Sequence, residues 1–140
     1  MASMTVENVE GGRLVRSPVA GRLVVGMKAV RIGKDFINHY FVPLDPPPDG
    51  SLTLVYVDYQ ASMEDCHSAF SLRLDPVTDA MAPGVGQVLS NDSGRFLKIQ
   101  DPIKGAMSLG YVDLLNGEIR RRQEHGITGV FTLRLSLTGS

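Results

Sequence analysis

Apolar residues in this chain recur at every second position rather than at every third or fourth. From Val130 to Leu137 the sequence reads Val-Phe-Thr-Leu-Arg-Leu-Ser-Leu, so apolar side chains share one face and polar side chains the other. The stretch from Phe70 to Leu74 alternates in the same way. A period of two is typical of a strand with one buried face. The sequence therefore predicts a protein built from strands, with Phe70, Leu72, Leu74, Phe131, Leu133 and Leu135 buried.

Glycine and proline interrupt the chain too often for long helices, with 15 glycines and 8 prolines in 140 residues. Pairs such as Asn116-Gly117 supply turn residues, and Asp-Pro pairs end apolar runs because proline cannot continue a central ladder. Short helical turns are predicted only at Ala61–His67 and Asn116–His125. The predicted strands are Arg22–Ile32, Phe36–Val42, Leu52–Tyr59, Phe70–Leu74, Gly86–Ser90, Arg95–Ile99, Ala106–Val112 and Val130–Leu137.

About eight strands at roughly ten-residue spacing, without alternating helices, indicate an all-β fold. We predict an antiparallel β-sandwich or barrel, jelly-roll-like, with one or two short helical turns. Doubly wound α/β folds are excluded because they need crossover helices. Residues 1–12 are polar and end in glycine, so they are predicted to form a flexible N-terminal arm before a single domain at residues 13–140. No internal repeat is visible in the sequence.

Charge is nearly balanced overall but unevenly distributed along the chain. The formal net charge is −1, which is unlike a dedicated phosphate-binding protein. Residues 13–34 contain six Lys and Arg residues and no Asp or Glu. Every charged residue between positions 45 and 92 is acidic except Arg73. Arg120-Arg121-Arg122 form a second basic cluster. Three interpretations stay open, namely a phosphate-binding patch, solvated strand faces that share a sign, and head-to-tail self-association.

The alternation in the first basic segment assigns its side chains to two faces. The more apolar set comprises Leu23, Val25, Met27 and Ala29, together with Arg31. This face is predicted to be buried, which leaves Arg22 and Lys28 pointing outward. The second cluster follows a turn and is predicted to be largely exposed. The candidate nucleic-acid-binding residues are therefore Arg22, Lys28, Arg120, Arg121 and Arg122.

Candidate catalytic and metal-binding groups are few. Cys66 and His67 are adjacent, and neighbouring residues on a strand point to opposite faces, so the histidine is not placed to activate the thiol. Glu64, Asp65 and His67 lie in one short segment without a distant partner, which is weak support for a metal site. A single cysteine also excludes an intramolecular disulfide and a multi-cysteine zinc site. The sequence predicts no enzyme activity, no metal and no cofactor.

Membrane and secretion signals are absent from the sequence. No apolar run approaches the roughly 20 residues of a membrane span. The first residues show no basic segment followed by an apolar one, so no signal peptide is predicted. We therefore expect an intracellular protein.

One part of the chain resembles a known family. The segment Asp49–Asp58 is an apolar strand that opens with glycine and closes with aspartate. The strand Phe36–Val42 precedes it, and a polar connection with a cysteine leads to the alternating strand Ala69–Leu74. Together these segments resemble the central block of the plant-virus movement proteins of the thirty-kilodalton superfamily. The resemblance implies a β-domain, related to jelly-roll capsid proteins, that binds single-stranded nucleic acid cooperatively and modifies plasmodesmata. It also implies a structural role for Asp58.

These observations lead to one expected function and two alternatives. We expect a non-enzymatic viral β-sandwich protein in the host cytoplasm that binds single-stranded nucleic acid weakly and self-associates. A viral coat subunit, or an adaptor that recognises protein partners by strand addition, is the alternative. A small β-barrel enzyme or ligand-binding protein is the third. Tyr56 and Tyr59 fall on opposite faces, so at least one is predicted to be exposed, where it either packs locally or stacks on a base.

Overall fold

The computed structural model of the protein describes residues 2–45, 52–105 and 108–138. Within these ranges the chain forms twelve strands and two 3-10 turns, which confirms the predicted all-β class. The strands are β1 (Ala2–Thr5), β2 (Leu14–Val19), β3 (Arg22–Ile32), β4 (Ile37–Asp45), β5 (Val55–Tyr56), β6 (Ser62–Asp65), β7 (Phe70–Pro76), β8 (Gln87–Asn91), β9 (Gly94–Gln100), β10 (Leu109–Asp113), β11 (Ile119–Arg120) and β12 (Gly129–Leu137). The 3-10 turns span Val6–Asn8 and His67–Ala69.

Both segments predicted as helical turns instead contain strands. β6 occupies most of Ala61–His67, and β11 lies within Asn116–His125. Each is held by backbone pairing to a neighbouring strand, β1 and β2 in the first case and β10 in the second. The first residues of the predicted strand Ala106–Val112 and of the segment Asp49–Asp58 lie outside the described residues.

Within the described ranges the strands form two antiparallel six-stranded sheets that make a sandwich rather than a closed barrel. Sheet A has the order β1-β6-β2-β3-β4-β5, and sheet B has the order β7-β12-β8-β9-β10-β11. The same neighbour pattern therefore occurs twice, once in each half of the chain. In both sheets three hairpin-connected strands are joined by a strand that returns beside the first, which is a Greek key. A jelly roll also combines two Greek keys, but here each key stays within one sheet.

The strand registers show that the two sheets repeat one unit. Met27 in β3 and Leu97 in β9 are both central and completely buried. Their backbone partners occupy matching places: Leu14 and Val42 beside Met27, and Val88 and Val112 beside Leu97. The next residues along the two strands, Lys28 and Lys98, are therefore equivalent. Strand pairing preserves this repeat although few side chains still match, which is why the sequence does not reveal it.

Two bridges between the sheets follow the same symmetry. Thr53, just before β5, bridges to Gln100 at the end of β9. Glu118, just before β11, bridges to Val30 near the end of β3. Val30 and Gln100 are equivalent positions in the two units, so each unit reaches across to the other at the same place. The contacts between the two units are therefore reciprocal.

The main core lies between the two sheets. Its buried members from the central strands are Leu14, Met27, Ala29, Tyr40, Val42, Leu44, Val88, Leu97, Ile99 and Val112. The six alternating residues of β7 and β12 that were predicted to be buried pack against this core but are only half-buried. β7 is the edge strand of sheet B and β12 lies next to it, so one side of these side chains stays in contact with solvent.

The N-terminal residues are part of the fold, so the prediction of a flexible arm is wrong. β1 pairs with β6, and Val6 and Val9 are 1% and 3% exposed. The segment covers the outer face of sheet A, where the two valines pack in a second core with Val15, Val24, Phe41 and Met63. The polar composition of residues 1–12 does not indicate that Val6 and Val9 cover a second apolar face.

The Leu97→Ala variant tests the position of the core. We expect it to lower the free energy of unfolding by about 3 kcal/mol, because truncating a completely buried leucine leaves a cavity. Leu133→Ala is expected to cost only about 1 kcal/mol, because Leu133 is already half-exposed to solvent. Urea unfolding followed by circular dichroism compares the two. Equal costs for both variants would show that the core has been placed incorrectly.

Candidate nucleic-acid interface

The cluster Arg120–Arg122 begins at the end of β11 and lines a cleft of about 580 Å³. β11 pairs with β10, and the bridge from Glu118 to Val30 holds it beside the end of β3. Arg31 of β3 and Lys104 of the turn after β9 also line the cleft. Five cations from three separate segments are thus gathered on one concave surface, which we call the cationic cleft.

Two of the five cations are paired with acids. Arg31 forms an ion pair with Asp101, whose side chain is almost completely buried. The Arg120 guanidinium lies 3.3 Å from a carboxylate oxygen of Glu118 and 3.6 Å from one of Asp113. These ion pairs hold the walls of the cleft in place and largely neutralise Arg31 and Arg120.

Lys104, Arg121 and Arg122 carry the excess positive charge of the cleft. All three are exposed, and none of them has an acidic partner in the part of the chain that the structure describes. Cations grouped on a concave surface produce a positive potential that attracts anions. Arg122 also has a left-handed backbone with φ of 52°, a strained conformation of the kind found at ligand-binding segments.

A polar network holds the segment that follows the arginine cluster. Tyr111 Oη donates a hydrogen bond to Glu124, and Lys98 Nζ lies 2.7 Å from the same carboxylate oxygen. Burial and the hydrogen bond to Glu124 raise the pKa of Tyr111. Burial also acts against the charged form of Glu124, but the hydrogen bonds from Lys98 and Tyr111 outweigh it and lower the pKa of Glu124. A charged glutamate with two donors thus anchors residues 121–125 against sheet B.

Arg22 is exposed but does not contribute to the cationic cleft. It is the first residue of β3, whereas Arg31 is near the other end of that strand. At about 3.3 Å per residue, the two positions are roughly 30 Å apart. Of the first basic segment, the structure therefore brings Arg31 to the second basic cluster but leaves Arg22 at the far end of the strand.

Lys28 points away from the main core, as the alternation predicts, but it is completely buried. Its ammonium group donates hydrogen bonds of 2.8 Å to the backbone carbonyls of Val6 and Val9. Burial lowers the pKa of Lys28 to about 8. The prediction of Lys28 as a nucleic-acid-binding residue is wrong because the N-terminal segment covers it.

Asp58 lies outside the cationic cleft, in the turn after β5. Its carboxylate accepts a hydrogen bond of 2.8 Å from the backbone N–H of Gln60, and its carbonyl accepts one of 3.0 Å from the N–H of Ala61. These bonds close the turn that leads into β6.

Sequence reasoning did not identify Arg31 and Lys104 as members of the site. Arg31 shares an alternating face with apolar residues, so the pattern predicts that it lies on the buried side. Lys104 stands alone in a turn, with only the Asp101-Pro102 pair before it as a local signal. Their approach to Arg121 depends on how distant strands pair, which no local pattern contains.

Cys66 and His67 serve the local structure. Cys66 is completely buried, and burial raises the pKa of its thiol, which disfavours the reactive thiolate. His67 Nδ1 accepts a hydrogen bond of 3.0 Å from the backbone N–H of Leu14, and Asp65 forms an ion pair with Arg13. Among residues 2–45, 52–105 and 108–138, no three His, Cys, Asp or Glu side chains are grouped to hold a metal ion.

No family model, curated protein or solved structure matches this chain. In the described part of the molecule, no helix has the length and apolar character needed to cross a membrane. Function is therefore inferred from the geometry and charge of the cationic cleft.

Proposed function

We propose that this protein binds single-stranded nucleic acid in the cationic cleft and catalyses no reaction. The observation that supports this is the group of exposed cations Lys104, Arg121 and Arg122, which have no acidic partners among the described residues. Phosphate groups are favoured ligands of such a group because each contact releases counterions. With a net charge of −1 on the whole chain, the attraction is local to the cleft and the binding is weak.

A single strand suits this surface better than a duplex. Proteins read duplex DNA by inserting a helix or a two-stranded ribbon into the major groove, whereas here the cations line a concave surface. A positively charged groove that follows the backbone is the usual binding surface for single strands. The resemblance to movement proteins implies the same ligand. The viral setting and self-association that accompany it stay predictions, as does the alternative of a coat subunit or adaptor.

The triple variant Lys104→Ala, Arg121→Ala, Arg122→Ala tests the cleft. We expect it to weaken binding of a labelled single-stranded oligonucleotide by about tenfold or more, because phosphate contacts dominate the affinity. The slope of log affinity against log salt should flatten by about 0.7 for each lost contact, hence by about 2 in total. Fluorescence anisotropy across a salt series measures both quantities.

A matched control removes the same number of positive charges elsewhere. Arg22→Ala, Arg73→Ala and Arg95→Ala affect three exposed arginines outside the cationic cleft. We expect this control to bind within about twofold of the parent, because local contacts matter more than net charge. An equal loss in the two triple variants would overturn the assignment of the cleft. Absence of salt-dependent binding by the parent would overturn the function itself, and size-exclusion chromatography with light scattering would then test the coat alternative.

A further inference from the structure

The internal repeat relates the cationic cleft to an equivalent surface in the other half of the molecule. Tyr111 of β10 pairs with Arg120, and Phe41, its equivalent in β4, pairs with Val55. The residue after Val55 is Tyr56, the last of β5, and the residue after Arg120 is Arg121, just beyond the end of β11. The position that carries a cation in one unit thus carries an aromatic ring in the other.

Tyr56 is well exposed but held in a defined orientation. It is 58% exposed, and its ring makes a T-shaped contact with the buried ring of Tyr40, with centroids 5.9 Å apart. The guanidinium of Arg31 lies 5.4 Å from the centre of the Tyr40 ring. Arg31 also lines the cationic cleft. A continuous path of contacts therefore leads from the cleft through Arg31 and Tyr40 to the exposed ring of Tyr56.

We propose that Tyr56 is a stacking platform for a nucleobase of the strand whose phosphates occupy the cationic cleft; this inference rests on the proposed function. Surfaces that bind single strands combine a cationic groove with exposed aromatic rings, because every base has a π-face that stacks on such a ring. The T-shaped contact with Tyr40 fixes the Tyr56 ring in advance, so little side-chain freedom is lost when a base stacks on it. The two units have diverged into a phosphate-binding surface and a base-binding surface.

Binding of two probes separates stacking from phosphate attraction. A single-stranded oligothymidylate presents phosphates and bases, whereas inorganic polyphosphate presents phosphates alone. We expect Tyr56→Ala to weaken oligothymidylate binding by about tenfold and to leave polyphosphate binding unchanged. Tyr56→Phe keeps the ring and should bind both probes as the parent does. In Tyr56→Leu the leucine still covers the Tyr40 ring but offers no π-face to a base. This variant should therefore lose oligothymidylate affinity while keeping the parent's melting temperature.

Tyr59→Ala is the matched control, because Tyr59 is also exposed but lies in the turn after β5. It should change neither affinity. If Tyr56→Ala and Tyr56→Leu both bind oligothymidylate as tightly as the parent, the stacking platform is refuted and the exposed ring becomes a candidate protein contact. In that case salt-dependent binding by the parent still supports the cationic cleft. If the parent binds neither probe, the proposed function fails and the stacking inference falls with it.

Discussion

Gly117→Ala is expected to lower the free energy of unfolding by about 5 kcal/mol or to prevent folding, among the largest effects of single substitutions. A Cβ at this position would lie 2.3 Å from the backbone nitrogen of Gly12 and 2.5 Å from the carbonyl oxygen of Lys28. Neither atom can move away cheaply, since the Gly12 N–H donates to that same Lys28 oxygen at 2.8 Å. Gly117 also has φ of +70°, a left-handed conformation that alanine rarely adopts.

Gly21→Ala separates the steric conflict from the backbone conformation. Gly21 has φ of +79°, and a Cβ there would have no heavy atom of the described residues within 4 Å apart from its chain neighbours. Its alanine variant should therefore lose only about 1–2 kcal/mol, the cost of the left-handed conformation. Chemical unfolding of both variants, monitored by circular dichroism, gives the difference. If both variants lose the same free energy of unfolding, the backbone around Gly12 and Lys28 does not lie as close to Gly117 as the structure shows.

Lys28→Ala is expected to lower the free energy of unfolding by about 4 kcal/mol, because it creates a cavity and removes the donor to two buried carbonyls. Lys34→Ala, at an exposed position after β3, should change it by less than about 0.5 kcal/mol. Denaturant unfolding of both variants measures the two costs. A loss of stability in both, or in neither, would contradict the burial of Lys28 beneath the N-terminal segment.

The stability of the protein should also rise between about pH 8 and pH 10.5 because of Lys28. Burial lowers its pKa from 10.5 to about 8 in the folded state. Between these two values the unfolded chain binds more protons, so raising the pH favours the folded state. The free energy of unfolding should increase by about 3 kcal/mol between neutral pH and about pH 10.5.

Lys28→Met isolates this effect, because it keeps an unbranched side chain without the ionisable amine. Subtracting its free energy of unfolding from that of the parent at each pH removes the contribution of every other titrating group. The free energy of unfolding of the parent minus that of Lys28→Met should increase as the pH rises from about 8 to 10.5. A difference that stays constant with pH would show that the amine of Lys28 is solvated in the folded protein.

Eight of the twelve strands in the described part of the chain could be predicted, because alternation is a local property. β3 runs from Arg22 to Ile32, as its pattern predicts, and the direction of Lys28 away from the main core also follows from that pattern. The prediction that Leu23 is buried is wrong, because this residue lies beside the turn between β2 and β3 and is 67% exposed. Whether a side chain that points out of a sheet reaches solvent is not local. The short segment around Val6 and Val9 decides it for Lys28, and nothing in the alternation of β3 encodes that segment.

The amino-acid sequence by itself determined the all-β class, the turn at Asn116-Gly117 and the faces of β7 and β12 that pack on the core. The physical reason is that the dihedral angles and alternating faces of a strand depend on neighbouring residues. Tertiary structure alone decided that the two halves repeat one unit, that Lys28 is buried, and that Arg31, Lys104 and Arg121 share a cleft. These features depend on which distant strands pair and which segments cover them. Pairing is set by the burial and backbone hydrogen bonding of the whole chain, so no stretch of a few residues carries that information.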